Sequence, residues 1–201
     1  MIANPHGRFW LKAGDHKTRD DGMDLVELCA YLAGEPHSTN LNPRCMAVNE
    51  LRKLAIRLCD LPWGSDDERT DALLPYAPAL MVATATPEQS LAIRAKVMDI
   101  TLRSVAPMIL DIDGKRGDAD RIARVHEVVD ASGAGAFADE VDALVFGVEA
   151  KPSREDVATY AAGYIVAYLK AVTDQRKREL MLSSLSRAYL GAALALCGVR
   201  S

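Results

Sequence analysis

Glu27 stands in a run, Leu25 to Ala33, in which every other residue is apolar or aromatic. A helix over that run has little solvated face on which to place a charge. An unpaired buried carboxylate costs several kcal/mol. Glu27 therefore needs a structural partner, an arginine or a group of backbone amides, or it has a task as a general acid or base. Tyr31 lies four residues on and shares its helix face. Just beyond come Glu35, His37 and Cys45, which together with His16 offer the carboxylate, imidazole and thiolate that zinc or another divalent ion uses. Their spacing matches no standard site, since H-E-x-x-H and C-x-x-C are both missing. The catalytic candidates are Glu27, Glu35 and His37, and the metal-ligand candidates are Glu35, His37 and Cys45. The plainer alternative gives Glu27 a structural pairing and His37 a surface or capping place. A Cys45 nucleophile with His37 or His16 as base is a weaker option, because separated Cys and His residues occur by chance in most chains of this length.

The wider motif search favours binding over catalysis. The chain holds no G-x-S-x-G, no phosphate loop of the G-x-x-x-x-G-K-S/T type and no G-x-G-x-x-G. The segment Asp111 to Asp120, D-I-D-G-K-R-G-D-A-D, has acids at positions one, three, eight and ten, but Lys115 and Arg116 fill its middle and no glutamate stands at position twelve. The calcium-loop template fails there, and a solvated loop is the reading. A formal charge of -4 with no basic stripe argues against nucleic acid as partner. The run Arg176-Lys177-Arg178 is flanked by Asp174 and Glu179, as on a solvated helix turn.

The elements that must position these groups are helices. Hydrophobic residues make up 49% and charged residues 26% of 201, which suits a folded globule, while aromatics at 5% and abundant alanine and leucine favour helices packed on small side chains. The expectation is an all-α, compact bundle of about eight to ten helices, with a short β-ribbon or extended arm before about Asp20. Asp20 or Asp21 caps a helix that runs to Ala33, with Gly34 and Pro36 ending it. Pro43 opens a second that stops before Pro62 and Gly64. Ser65 and Glu68 form a capping box, and Thr86-Pro87-Glu88 starts the helix carrying Ile93, Val97, Ile100 and Leu102. Helices follow over 119–129 and 136–150, another is capped by Ser153 with Asp156, and the last runs from about Asp174 to Cys197. One helical domain over 1–201 is expected, and any division into 1–112 and 118–201 falls at the polar segment 111–120. Tyr160, Tyr164 and Tyr168 form one stripe, read as a core face whose hydroxyls reach a neighbour or as a partner interface.

Four widely spaced cysteines, an N-terminus without an apolar signal core and no run of eighteen apolar residues point to a reducing cytoplasm and away from a membrane. The small-residue end of the last helix, Ala188 to Leu196, suits burial against neighbours or a second copy of the chain.

The residues around Glu27 also carry a resemblance. The pattern Asp21-Gly22, Glu27, Ala30, Ala33-Gly34-Glu35, Ser38 and Asn42-Pro43-x-Cys45 is similar to one in uncharacterised bacterial and bacteriophage proteins, especially from actinobacteria and their phages. The preceding W-L-K-A-G-D-H, Trp10 to His16, belongs to the same pattern, and the resemblance covers roughly the first sixty residues. It implies a phage-associated setting and no particular activity. With that setting, the expected function is that of a small cytoplasmic accessory or regulatory protein docking on a host or phage protein, possible targets including a defence system. The alternative is a small metal-assisted or acid–base hydrolase or transferase centred on Glu27, Glu35 and His37. No cofactor is expected on the first reading, and a divalent metal on the second. On the second reading, mass spectrometry of the purified protein finds stoichiometric zinc, manganese or iron that falls in Glu35→Ala and His37→Ala; a metal-free protein leaves the docking reading ahead.

Overall fold

The structure is a computed structural model, and it describes residues 9–36, 43–125, 135–147, 153–154 and 156–199. The regular elements of the described residues are helices, with ten α-helical segments: α1 (Leu25–Leu32), α2 (Asn49–Cys59), α3 (Asp66–Leu73), α4 (Ala77–Val82), α5 (Pro87–Ile100), α6 (Ala106–Ile112), α7 (Arg116–Ala123), α8 (Gly135–Phe146), α9 (Val157–Ala171) and α10 (Gln175–Leu196). The expected all-α class holds. No helix among the described residues is long and apolar enough to cross a membrane. The chain divides into two compact units, one of residues 1–86 and 179–201, the other of residues 87–178.

In the first unit an extended arm precedes α1. The arm meets the chain again through one isolated parallel bridge, Leu11 with Met23, where Lys12 N–H donates to Met23 O at 2.9 Å. Among the described residues the expected ribbon is a single bridge. Leu11 is fully buried, and its backbone must be paired there. Its N–H donates to Thr70 Oγ1 at 2.8 Å, and its carbonyl accepts from Arg69 Nη1 at 3.2 Å. Arg69 also donates from Nε to Cys59 O at 2.8 Å and from Nη1 to Asp66. One buried guanidinium therefore ties the arm, α2 and α3 together. α1 packs on α2 and α4, and α3 passes through a 3-10 turn, Leu74–Tyr76, into α4. The unit's core takes Leu25, Leu28, Leu51, Leu54, Leu58, Leu73 and Leu80, with Leu190 and Leu194 of α10 also buried.

α1 ends where the sequence indicates. Glu35 N–H reaches back to Ala30 O at 2.9 Å and Ala33 N–H to Cys29 O at 3.0 Å, with Gly34 in the left-handed region at φ +74°. Its start differs from expectation, because Asp24, and not Asp20 or Asp21, is the N-cap. Asp21 is taken by a local turn, accepting from Thr18 N–H and Thr18 Oγ1, both at 3.0 Å. α2 likewise begins at Asn49, six residues after Pro43, and Ser65 caps α3 by accepting from Glu68 N–H at 3.2 Å.

In the second unit α6 is central, packed against α7, α8 and α9. α5 reaches it through a π-helical segment, Thr101–Val105, in which Ala106 N–H bonds to Thr101 O. Pro107 explains the widening. It has no N–H to give Arg103 O, and its ring crowds that carbonyl, so the preceding turn opens. Arg103 meets Asp99 from the same stretch, Nη2 to Oδ2 at 3.1 Å, and donates from Nη1 to Val125 O at 3.0 Å. The polar segment 111–120 does not divide the chain. It closes α6 against α7 within this unit, with Lys115 N–H on Leu110 O at 2.7 Å and Gly114 at φ +77° making a tight helical hairpin. Short polar hairpins and domain linkers share a composition, which is why the segment reads as a boundary.

Thr70→Val keeps the side-chain volume but leaves the buried Leu11 N–H without an acceptor. It should lower stability by about 1–3 kcal/mol, read as a lower urea midpoint at unchanged slope.

Candidate functional site

Glu27 is the third residue of α1, and its carboxylate turns back over the helix start. Oε2 accepts Asp24 N–H at 2.8 Å, while Asp24 Oδ1 accepts Glu27 N–H at 2.7 Å, a reciprocal capping box. The arm then brings His16 onto the same carboxylate. His16 N–H donates to Oε1 at 3.2 Å, and His16 Nδ1 lies 2.7 Å from Oε2. All three residues are buried, His16 7%, Asp24 1% and Glu27 5% exposed. Glu27 thus finds the amide cluster that a structural pairing calls for, with an imidazole in place of an arginine. Gly22 makes the close approach possible. Its φ is +135°, and a Cβ there would stand 2.6 Å from Lys12 Cδ and 3.1 Å from His16 Nε2.

Asp24 is electrically the most strained member. Burial pushes its carboxyl up from the usual range to about 7; the Glu27 and Asp60 charges push the same way, and the amides of Glu27 and Val26 oppose them. The raised value has a definite sign for stability. The neutral form favours the folded state, so this contribution is complete in acid and is lost as pH rises through about 7.

Glu35 and Cys45 are brought together. Glu35 Oε2 accepts Arg44 N–H at 3.0 Å and Oε1 accepts Cys45 N–H at 2.7 Å, so the carboxylate ties the end of α1 to Arg44 and Cys45. Those amides, Arg44 first, hold the carboxyl below its ordinary value. The Cys45 thiol is pushed up to about 11 by burial and by Glu35 beside it, which disfavours the thiolate that a nucleophile or metal ligand needs. His37, the third member of the candidate set, lies outside the described residues, as do Ser38 and Asn42. Among the described residues no group of three or more His, Cys, Asp or Glu is placed to hold a metal ion. Cys29 and Cys59 are buried thiols pushed well up, Cys29 to about 12, chiefly by desolvation.

The tyrosine stripe lies in the second unit, and all three rings are buried. Tyr160 and Tyr164 donate to Asp142 Oδ1 of α8 at 2.7 and 2.6 Å. Arg154 donates to the other oxygen, Nε at 3.1 Å with Nη2 also in contact, and adds Asp139 at 2.8 Å. Burial pushes both tyrosine hydroxyls far up, so they stay protonated and can donate to the carboxylate, and Tyr164 also accepts from Tyr160 at 3.3 Å. Tyr160 and Tyr164 thus face α8 of their own unit, as the core-face reading of the stripe expects for those two residues.

Sequence reasoning passed over Asp24, Asp142 and Arg154. Asp24-x-x-Glu27 has the capping-box spacing, and Asp142 sits in V-D-A-L-V-F with the same lone-carboxylate signature as Glu27. Both signals were legible; the donors that reach Glu27 from His16 and Asp142 from Tyr160, Tyr164 and Arg154 were not.

Glu27→Ala leaves His16 N–H, His16 Nδ1 and Asp24 N–H without their acceptor inside the fold. The expected loss is about 3 kcal/mol or more, measured by urea unfolding, with Glu27→Gln losing less because one oxygen remains.

No protein-family model, curated protein or solved structure matches the chain.

Proposed function

We propose that this chain is a small cytoplasmic accessory or regulatory protein that acts by docking on another protein, in the phage-associated setting that the resemblance over its first sixty residues implies, inhibition of a host defence system being one such action. The observation that carries the reading is how the candidate carboxylates are spent. Glu27 and Glu35 accept from backbone amides three to eleven residues away along the chain and so hold the fold itself. The first unit also presents side chains of the types that anchor interfaces. Leu32 is 48% exposed at the end of α1, and next to it Tyr31 carries the Arg19 guanidinium 4.7 Å from its ring centre and Phe9 edge-on at 5.7 Å. Arg19 is braced by donating to Glu35 O at 2.8 Å.

A second reading, acid–base hydrolysis or group transfer, is supported by one feature. A carboxylate on His Nδ1 is how an imidazole is oriented for proton transfer, and His16 has that relation to Glu27. Glu35 and His37 are the supporting groups on that reading.

Capture from a host lysate tests the docking reading. The wild-type chain should repeatedly return the same partner, and Leu32→Asp with Arg19→Glu should weaken recovery about tenfold or more. Repeated capture of no partner counts against docking, and activity that vanishes in a folded Glu27→Gln chain moves the assignment to the acid–base reading.

A further inference from the structure

The arm before α1 is held by an unusual set of contacts. Leu11 and Lys12 are pinned by Thr70, Arg69, Met23 and the Cys59 thiol, which donates to Lys12 O at 3.4 Å. The other two attachments go to carboxylates. Gly14 N–H donates to Asp60 Oδ1 at 2.8 Å, and His16 binds both oxygens of Glu27. Asp60 and Glu27 are also the two carboxylates whose charges act on Asp24. A negative charge at Asp24 therefore bears on the two side chains that hold the arm at Gly14 and His16.

We propose that residues 9–24 form a proton-controlled strap: it lies closed on the first unit while Asp24 is protonated, and loss of that proton loosens it.

The groups that face Asp24 define the switch. From α1 come Glu27 and Cys29, from α2 Cys59, and from its C-cap Asp60, while the strap brings His16 onto Glu27. Both thiols stay neutral because burial pushes them up. Arg69 of α3 is spent on Cys59 O, Leu11 O and Asp66, and Lys12 turns its ammonium to Asp21 O at 2.9 Å. Asp24 is thus surrounded by amide donors and negative neighbours, and no arginine or lysine is bonded to it among the described residues. With Asp24 ionised, two carboxylates share one buried capping box; relief comes by moving Glu27 or Asp60 outward, and either motion takes a strap attachment with it. Closure below about 7 and loosening above it follow from the direction in which burial and these charges push Asp24. The inference concerns the first unit alone and stands whichever reading of the function holds.

Amide hydrogen exchange of the full chain tests it, compared at about pH 5.5 and about pH 8.5 after correction for intrinsic rates. The Gly14 and His16 amides, whose acceptors are Asp60 and Glu27, should lose about tenfold or more of their protection at the higher pH, and stay less protected there than Leu54 and Leu58 of α2. Asp24→Asn keeps a good N-cap without the charge, and its strap amides should show equal protection at both values. Asp60→Asn removes one of the two charges on Asp24 and should move the loosening to lower pH. The proposal is overturned by strap protection that does not change with pH, by strap amides that share the protection of α2 at both values, or by an unaltered pH response in either variant. The wild-type comparison decides even if Asp24→Asn does not fold.

Discussion

The first unit depends on how one buried carboxylate is satisfied. Taking Glu27 out of water costs several kcal/mol, and a charge-assisted hydrogen bond returns about 1.5–3 kcal/mol. A single donor would not offset the burial. Three do: the Asp24 amide, the His16 amide and the His16 ring, at 2.8, 3.2 and 2.7 Å. Because one donor belongs to the helix cap and two to the arm, the same carboxylate both starts α1 and docks the segment before it. The stability of a helix end and the placement of a distant strand-like arm become one interaction.

The second unit solves the same problem with different donors. Asp142 is completely buried on α8, and it accepts from two tyrosine hydroxyls of α9 on one oxygen and from Arg154 on the other. The guanidinium also faces the Tyr160 ring, 6.0 Å from its centre, and Tyr164 meets Phe146 edge-on at 4.9 Å. A buried ion pair gains little over apolar packing but is costly to leave half made. Its value here is register: the hydroxyls reach Asp142 only when α8 and α9 sit at one relative height.

Much of the local structure was legible. Gly34 and Pro36 end α1, Pro87 starts α5, Asp156 caps α9, and the long last helix lies close to its expected bounds. These signals work because each acts within a few residues of backbone. The misplacements have a common cause in competition. Asp21 has the composition of a cap but spends its carboxylate on Thr18, so the helix waits for Asp24. The segment 111–120 has the composition of a linker but closes a hairpin, because α6 and α7 have apolar faces to bury on each other. The candidate site was legible as a residue, Glu27, and as a neighbourhood, but not as an arrangement.

By itself, the sequence determined the helical class, the order of elements and the fact that Glu27 would need partners, since periodicity, caps and the cost of burying a charge are local properties of the chain. Only the tertiary structure decided who those partners are. His16 reaches Glu27 across eleven residues and Thr70 reaches Leu11 across fifty-nine, and such contacts depend on which helices pack and at what register. No spacing rule carries that information, because the donors are chosen by the fold that their own satisfaction helps to hold in place.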